Sequence, residues 1–244
     1  MNEQILSCRN VTMRFGGVTA LNNVSLDFPA NQVVGVIGPN GSGKSTLFNV
    51  LSAERRPTQG EITWAGQRID GLPPYRVASL GIVRTYQSAS VFPELTVRES
   101  MEFAHWTARK RGGRSIAEVA EITGLTKFTN ESCRSLPYGH QKILGVALGL
   151  LTKPALLLLD EPAAGLNQAE VSRFLRLIKD IRATHEIGIG IIDHDMNLIM
   201  PACDRIAVLN FGNLIAIGTP AEIRSNQSVL DIYLTGDMRS DADH

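Results

Sequence analysis

The sequence predicts an α/β fold in which a parallel core sheet carries an antiparallel β subdomain and an inserted helical subdomain. Three observations predict it. Residues 33–37, 155–159 and 187–192 are short, continuous apolar runs, as expected of strands covered on both faces. Residues 5–13, 24–28 and 61–65 read as strands next to turn residues, which suits an antiparallel sheet beside that core. Residues 96–109 and 115–124 read as successive helices, so residues 88–150 form the helical insert.

The chain is organised around Gly38-Pro39-Asn40-Gly41-Ser42-Gly43-Lys44-Ser45-Thr46, which matches G-x-x-x-x-G-K-[ST]. A buried strand at 33–37 precedes it and a helix with packed residues at 47–51 follows, so the strand–loop–helix context is complete. Glycines let consecutive backbone N–H groups converge without a Cβ in the way, and the helix aims its positive end at the same spot. Lys44 is placed to reach β- and γ-phosphates, and Ser45 to ligate Mg²⁺. The expected fold class is therefore α/β with a P-loop NTPase core.

The remaining elements follow in order. Phe15-Gly16-Gly17 sits in a turn after the first strand, and Ala20 to Asn23 is read as the turn into the second. An aromatic at 15 is placed to lie over a flat ligand ring. Residues 81–85 form a core strand that delivers Gln87 to its C-terminal end. Thr96 and Glu99 have the spacing of a capping box. An apolar helix opens at 136–142 and runs to Leu151. Asn167 caps a helix over 169–183, whose Phe174, Leu175, Leu177, Ile178 and Ile181 share a stripe. Residues 205–210 and 214–217 make a hairpin about Gly212, Pro220 starts a helix, and the polar stretch from Gly236 onward is expected to fray. The whole reads as one domain over residues 1–236, with the core and β subdomain drawn from 1–87 and 151–236 and a flexible tail at 237–244.

Composition restricts the function classes. Lys plus Arg number 24, Asp plus Glu also 24, and the formal net charge is zero, so nothing calls for nucleic acid as a partner. No run of apolar residues is long enough to span a bilayer, and the N-terminus does not read as a signal peptide. The cysteines Cys8, Cys133 and Cys203 lie far apart, form no metal-ligand pattern and read as small buried hydrophobes.

Acidic and polar residues at strand ends complete the chemistry. Asp160 ends the leucine run 156–159, at the sheet edge where it would hold Mg²⁺ beside Ser45. Glu161, one position on, is placed to face the γ-phosphate and activate a water. His194 follows the strand 187–192 and would hydrogen-bond the γ-phosphate, and Gln87 offers an amide to water and Mg²⁺. No acceptor pocket is legible, which favours hydrolysis over phosphoryl transfer to a metabolite. A P-loop small-molecule kinase and an ATP-gated interaction module remain the readings from other classes.

These motifs together resemble the ATP-binding subunits of ABC transporters, over nearly the whole chain. Gly38 to Ser45 looks like the Walker A motif, Leu156 to Glu161 like Walker B, Gln87 like the Q-loop glutamine and His194 like the switch histidine. Ala163-Ala164-Gly165-Leu166-Asn167 resembles the D-loop region, and Leu136-Pro137-Tyr138-Gly139-His140-Gln141 takes the place of the signature LSGGQ. The similarity is strongest to the subunits serving high-affinity branched-chain amino acid import, on Arg14 to Leu21, Arg84-Thr85-Tyr86-Gln87, His194-Asp195-Met196 and Gly218 to Ile223.

The resemblance implies ATP and Mg²⁺ as ligands and a dimer with a second ATP-binding subunit, like or unlike. Each ATP would meet residues 38–46 of one subunit and Leu136, Pro137, Tyr138, Gly139 and His140 of the other. Phe15 and Val18 would border the adenine. The implied partners are transmembrane permease subunits and, indirectly, an extracytoplasmic binding protein. The implied location is the cytoplasmic face of the inner membrane. Departures from the family pattern are Pro137 in place of the signature serine, His140 in place of glycine or glutamine, and Leu148 in place of an arginine. Proline supplies neither hydroxyl nor N–H. Pro137 and Leu148 motivate the alternative of a degenerate or regulatory nucleotide-binding partner of another ATPase subunit.

Overall fold

The computed structural model describes residues 5–85, 92–109, 112–185 and 187–240, with side chains as far as 233. The chain opens with a long hairpin, β1 (Ile5–Phe15) and β2 (Val18–Pro29), followed by β3 (Val33–Ile37) and α1 (Lys44–Leu51). Next come β4 (Gln59–Trp64), β5 (Gln67–Arg68), α2 (Pro74–Ser79) and β6 (Ile82–Thr85). The helical part holds α3 (Val97–Ala108), α4 (Ile116–Ile122) and α5 (Tyr138–Leu151), with 3₁₀ turns at Thr126–Phe128 and Cys133–Ser135. The chain then alternates through β7 (Leu156–Asp160), α6 (Gln168–Thr184), β8 (Gly188–Ile192) and α7 (Met196–Ala202). It finishes with the hairpin β9 (Arg205–Asn210) and β10 (Asn213–Gly218), then α8 (Pro220–Ser225) and α9 (Gln227–Ser240).

Two sheets result. One is antiparallel, in the order β2-β1-β4-β5; the other runs β10-β9-β3-β8-β7-β6 and is parallel from β9 to β6. Every residue of β3, β7 and β8 is buried, because both faces of this sheet are covered. The faces alternate with period two. Leu157, Leu159, Ile189 and Ile191 point into a core shared with α5, α6 and α7. Leu156, Leu158, Val34 and Val36 join a second core with α1 and the antiparallel sheet.

Glycine in β8 sets how closely the two sheets approach. A Cβ on Gly190 would lie 2.7 Å from Leu158 Cδ2 and 3.1 Å from the Phe28 ring. Phe28, wholly buried at the end of β2, occupies the space that a side chain at 190 would need. The three cysteines are buried and unpaired. Burial pushes the thiols of Cys8 and Cys203 up to about 12, and the Cys133 sulfur lies 3.2 Å from Ser100 Oγ.

Local capping signals hold. Thr96 Oγ1 accepts from the Glu99 N–H while Glu99 Oε2 accepts from the Thr96 N–H, and Asn167 and Glu170 repeat the arrangement at the head of α6. The turn expected at Ala20 to Asn23 is corrected. The hairpin turns at Gly16–Gly17, with Phe15 paired to Val18, and residues 20–23 lie inside β2. Asn22 and Asn23 look like turn residues because they are polar, but they occupy an edge strand. The Asn22 N–H donates to Gly212 O at 2.8 Å and its amide to Asn213 Oδ1 at 2.9 Å. α2, with Pro74 in its first turn, was not expected. α9 continues to Ser240, into the stretch expected to fray. Among the described residues no helix is long and apolar enough to cross a membrane.

Gly190→Ala is expected to destabilise the chain by about 1–3 kcal/mol through overpacking against Leu158 and Phe28. The measurement is a urea midpoint shifted down at unchanged slope; an unshifted midpoint would show that the two sheets tolerate a wider gap.

Candidate functional site

The loop from β3 to α1 is shaped by backbone conformations that favour glycine. Gly38 has φ 149°, and a Cβ on it would lie 2.0 Å from Leu209 O; Gly43 has φ 105°, with its Cβ position 2.5 Å from Ala20 O. Gly43 is also the N-cap of α1 and provides no side-chain cap. The first-turn N–H groups of α1 therefore lack both an intrahelical and a capping acceptor, and the positive end of the helix is open to an anion. The buried Ser42 Oγ has no partner among the described residues.

Lys44, 6% exposed, folds back so that Nζ donates to Gly38 O at 2.8 Å and to Pro39 O at 2.9 Å. Burial pulls its pKa below the ordinary lysine value, while the negative charges of Glu161, Asp160 and Asp193 oppose that shift. A cleft of about 180 Å³ lies over this loop, lined by residues 40–46, Ala20 and Glu161. Lysine, Ser45, Thr46 and a carboxylate thus share one small polar space, above glycines that leave room for a ligand. The donor set fits the phosphates of a nucleotide, with the Ser45 hydroxyl and carboxylate oxygens available to a divalent cation at its rim.

Strand register brings the acids to the same edge. Val36 of β3 pairs with Ile192 of β8, which pairs with Asp160 of β7, so the three strands end together. Asp160 is nearly buried and ion-paired, its Oδ2 2.5 Å from Arg84 Nη2. Arg84 comes from the neighbouring strand β6 and also donates to Asn49 Oδ1 at 2.7 Å and Glu54 Oε1 at 3.2 Å. Glu161 has φ 45°, a left-handed conformation uncommon for a residue with a Cβ. Its N–H donates to Ile192 O at 2.8 Å.

Asp193 is wholly buried and acts as a backbone knot. Oδ1 accepts from the N–H groups of His194 at 2.8 Å and Asp195 at 2.9 Å, and Oδ2 accepts from the Ala163 N–H at 2.8 Å. It fastens the turn after β8 to the loop after β7. The His194 side chain is 65% exposed, with Nδ1 3.8 Å from Asp193 Oδ1.

The other sequence-predicted residues are distributed as follows. Gln87 lies outside the described residues. Phe15 and Val18 are exposed at the tip of the β1–β2 hairpin, close in sequence to Ala20, whose carbonyl abuts Gly43. Leu136 is buried and Pro137 is the N-cap of α5, without a side-chain cap. The Tyr138 hydroxyl donates to Ala164 O at 3.3 Å, and a Cβ on Gly139 would meet Glu170 Oε1 at 2.6 Å. Arg173 Nη1 donates to His140 Nε2 at 3.1 Å, so that nitrogen is an acceptor. Burial, then the Arg173 charge, holds the His140 pKa below the ordinary histidine value, against Glu170 and Glu131. Among the described contacts, this segment meets Phe128 and residues 164–173 and none in the P-loop.

Sequence reasoning passed over Arg84 and Asp193. An arginine inside an otherwise apolar strand signals a buried partner. The first acid of Asp193-His194-Asp195 was overshadowed by the histidine between the two.

The chain is similar to known proteins over most of its length. The ABC transporter family profile matches residues 21–164. The high-affinity branched-chain amino acid transport ATP-binding protein BraF of Pseudomonas aeruginosa is 40% identical, over 96% of this chain and 99% of its own length. The corresponding LivG protein of Escherichia coli K12 is 39% identical over the same shares. The lipopolysaccharide export system ATP-binding protein LptB of Haemophilus influenzae is 30% identical over 94% of this chain and 97% of its own. Among solved structures, the ADP conformation of MJ1267, an ATP-binding cassette of an ABC transporter, superposes with a TM-score of 0.85 at 26% identity. That likeness covers 95% of this chain and 98% of the other.

Asp193→Ala is expected to loosen the sheet edge, at roughly 1–3 kcal/mol for each of the N–H donors left unsatisfied. Asp193→Asn, which keeps one side-chain acceptor oxygen, is expected to lose less. Denaturant midpoints of both variants check the order; equal midpoints for wild type and Asp193→Ala would remove the knot.

Proposed function

This chain belongs to the ABC transporter family of ATP-binding proteins, and on that premise we propose that it binds and hydrolyses ATP to power a membrane importer, with branched-chain or related amino acids as cargo. The observation that carries the reading is the cleft in which Lys44, Ser45, Thr46 and Glu161 line one space over an uncapped helix N-terminus. The cargo assignment rests on the transport named for the relatives at 39–40% identity.

In this reading the backbone of residues 38–46 holds the phosphates, and Lys44 turns from its two carbonyl partners to the β- and γ-oxygens. Ser45, Asp160 and Gln87 would hold Mg²⁺, which neutralises phosphate charge when bound. Glu161 accepts a proton from the attacking water, and His194, whose side chain is exposed, orients that water and the γ-phosphate. Arg84 holds the Asp160 carboxylate in place through its ion pair. Phe15 and Val18 border the adenine. Leu136, Pro137, Tyr138, Gly139 and His140 face the ATP of a second ATP-binding subunit, identical or different. The protein works at the cytoplasmic face of the inner membrane, bound to permease subunits that receive substrate from an extracytoplasmic binding protein.

The alternative, a degenerate or regulatory partner, has one specific support. Pro137 heads α5 with no side-chain cap, so the end that would approach the partner's γ-phosphate lacks one N–H and one hydroxyl. A lost donor of that kind costs about 2.7–4 kcal/mol in a transition state.

In the assembled transporter, Glu161→Gln is expected to lower steady-state ATP turnover by about 10²–10⁴-fold while ATP binding persists. A Glu161→Gln complex as fast as wild type would end the assignment of the base. Pro137→Ser decides between the readings: unchanged turnover favours the active ATPase, whereas a rise of about tenfold or more favours the degenerate partner.

A further inference from the structure

We infer that Lys142 is a positioning residue for Glu161: through it, the first turns of α5 hold the left-handed backbone that sets the Glu161 carboxylate in the cleft. This rests on the reading of the cleft as an ATP-hydrolysing site. It assigns a task to a residue outside the Walker and signature motifs.

The argument starts from strain. A residue with a Cβ at φ 45° persists only where its surroundings over-determine it. At Glu161 the N–H is fixed by Ile192 O at 2.8 Å, and the carbonyl accepts both the Ala164 N–H at 3.2 Å and Lys142 Nζ at 3.4 Å. The first anchor comes from β8 and the second from the loop itself. The third comes from a different element, α5.

Lys142 is only 6% exposed. Taking an ammonium out of water is costly without compensation, and a methionine would fill a similar volume without that cost. Packing alone therefore does not account for the charge. Its surroundings do: Nζ lies 5.5 Å from the centroid of the Tyr138 ring, within cation–π range, and reaches the Glu161 carbonyl. Tyr138 sits one helical turn earlier on the same face and sends its own hydroxyl to Ala164 O at 3.3 Å. Two neighbouring side chains of α5 thus hold the carbonyls at 161 and 164, at both ends of one short turn. Tyr138 is about half exposed and follows Pro137 at the head of the helix. Whatever engages that exposed end in a complex pulls on the same two bonds, so the setting of Glu161 depends on the state of segment 136–142.

The test uses the full chain in its transporter complex. Lys142→Met keeps the length and removes the donor; Lys142→Arg keeps a buried cation; Tyr138→Phe keeps the ring and removes the hydroxyl. Lys142→Met is expected to lower kcat on the order of tenfold to a hundredfold. KM for ATP should stay within about twofold, because phosphate binding does not use this residue. Lys142→Arg is expected to recover most of the loss, and Tyr138→Phe to fall between wild type and Lys142→Met. Amide hydrogen exchange in the isolated chain reads the turn without any turnover. The N–H groups of Glu161, Ala163 and Ala164 should exchange about tenfold faster in Lys142→Met, with those of β7 and α6 unchanged. A wild-type complex without ATPase activity would defeat the functional reading, and the exchange data would still judge Lys142. Unchanged exchange at 161–164, wild-type kcat in Lys142→Met, or a parallel loss of kcat, KM and thermal stability across the chain would overturn the inference.

Discussion

β3, β8 and β7 run parallel and end at the same level, Val36 beside Ile192 and Ile192 beside Asp160. The rest of the molecule depends on that common edge. One ladder of backbone hydrogen bonds sets where the phosphate loop leaves β3, where the carboxylates leave β7 and where Asp193 and His194 leave β8. The ladder is held because every residue of these strands is buried and alternates between two cores. A slip of one residue would turn each leucine of β7 to the opposite core and carry Asp160 out of reach of Arg84.

Much of this was legible because it is local. The P-loop announces itself through glycines whose φ values and crowding exclude other residues, and the caps at Thr96 and Asn167 lie within four residues of the groups they satisfy. The apolar runs at 33–37, 156–159 and 188–192 gave the core strands for a similar reason, since burial on both faces erases alternation. The resemblance of the motifs to ABC transporter ATP-binding subunits, and with it the fold class, agrees with relatives covering nearly all of the chain.

What escaped the sequence depends on distant partners. Asn22 and Asn23 look like a turn until Gly212 and Asn213 supply the bonds that keep them in a strand. Arg84 and Asp160 are 76 positions apart, and only the pairing of β6 with β7 puts them together. Asp193 had the same difficulty, because one of its partners, the Ala163 N–H, is 30 positions away. Spacing within one element says nothing about such contacts. The clue that survives in the sequence is chemical: a charge set in an apolar run must be matched by something elsewhere in the chain.

The cysteines have a practical consequence. All three are buried, and for Cys8 and Cys203 the thiol is held protonated far above neutral pH, so attack on maleimides or alkyl halides, which proceeds through thiolate, is suppressed in the folded chain. A cysteine introduced on an exposed position would carry a fluorophore or spin label against a quiet background. Distance measurements across a working transporter could then begin from the native sequence, with no need to strip it of its own thiols.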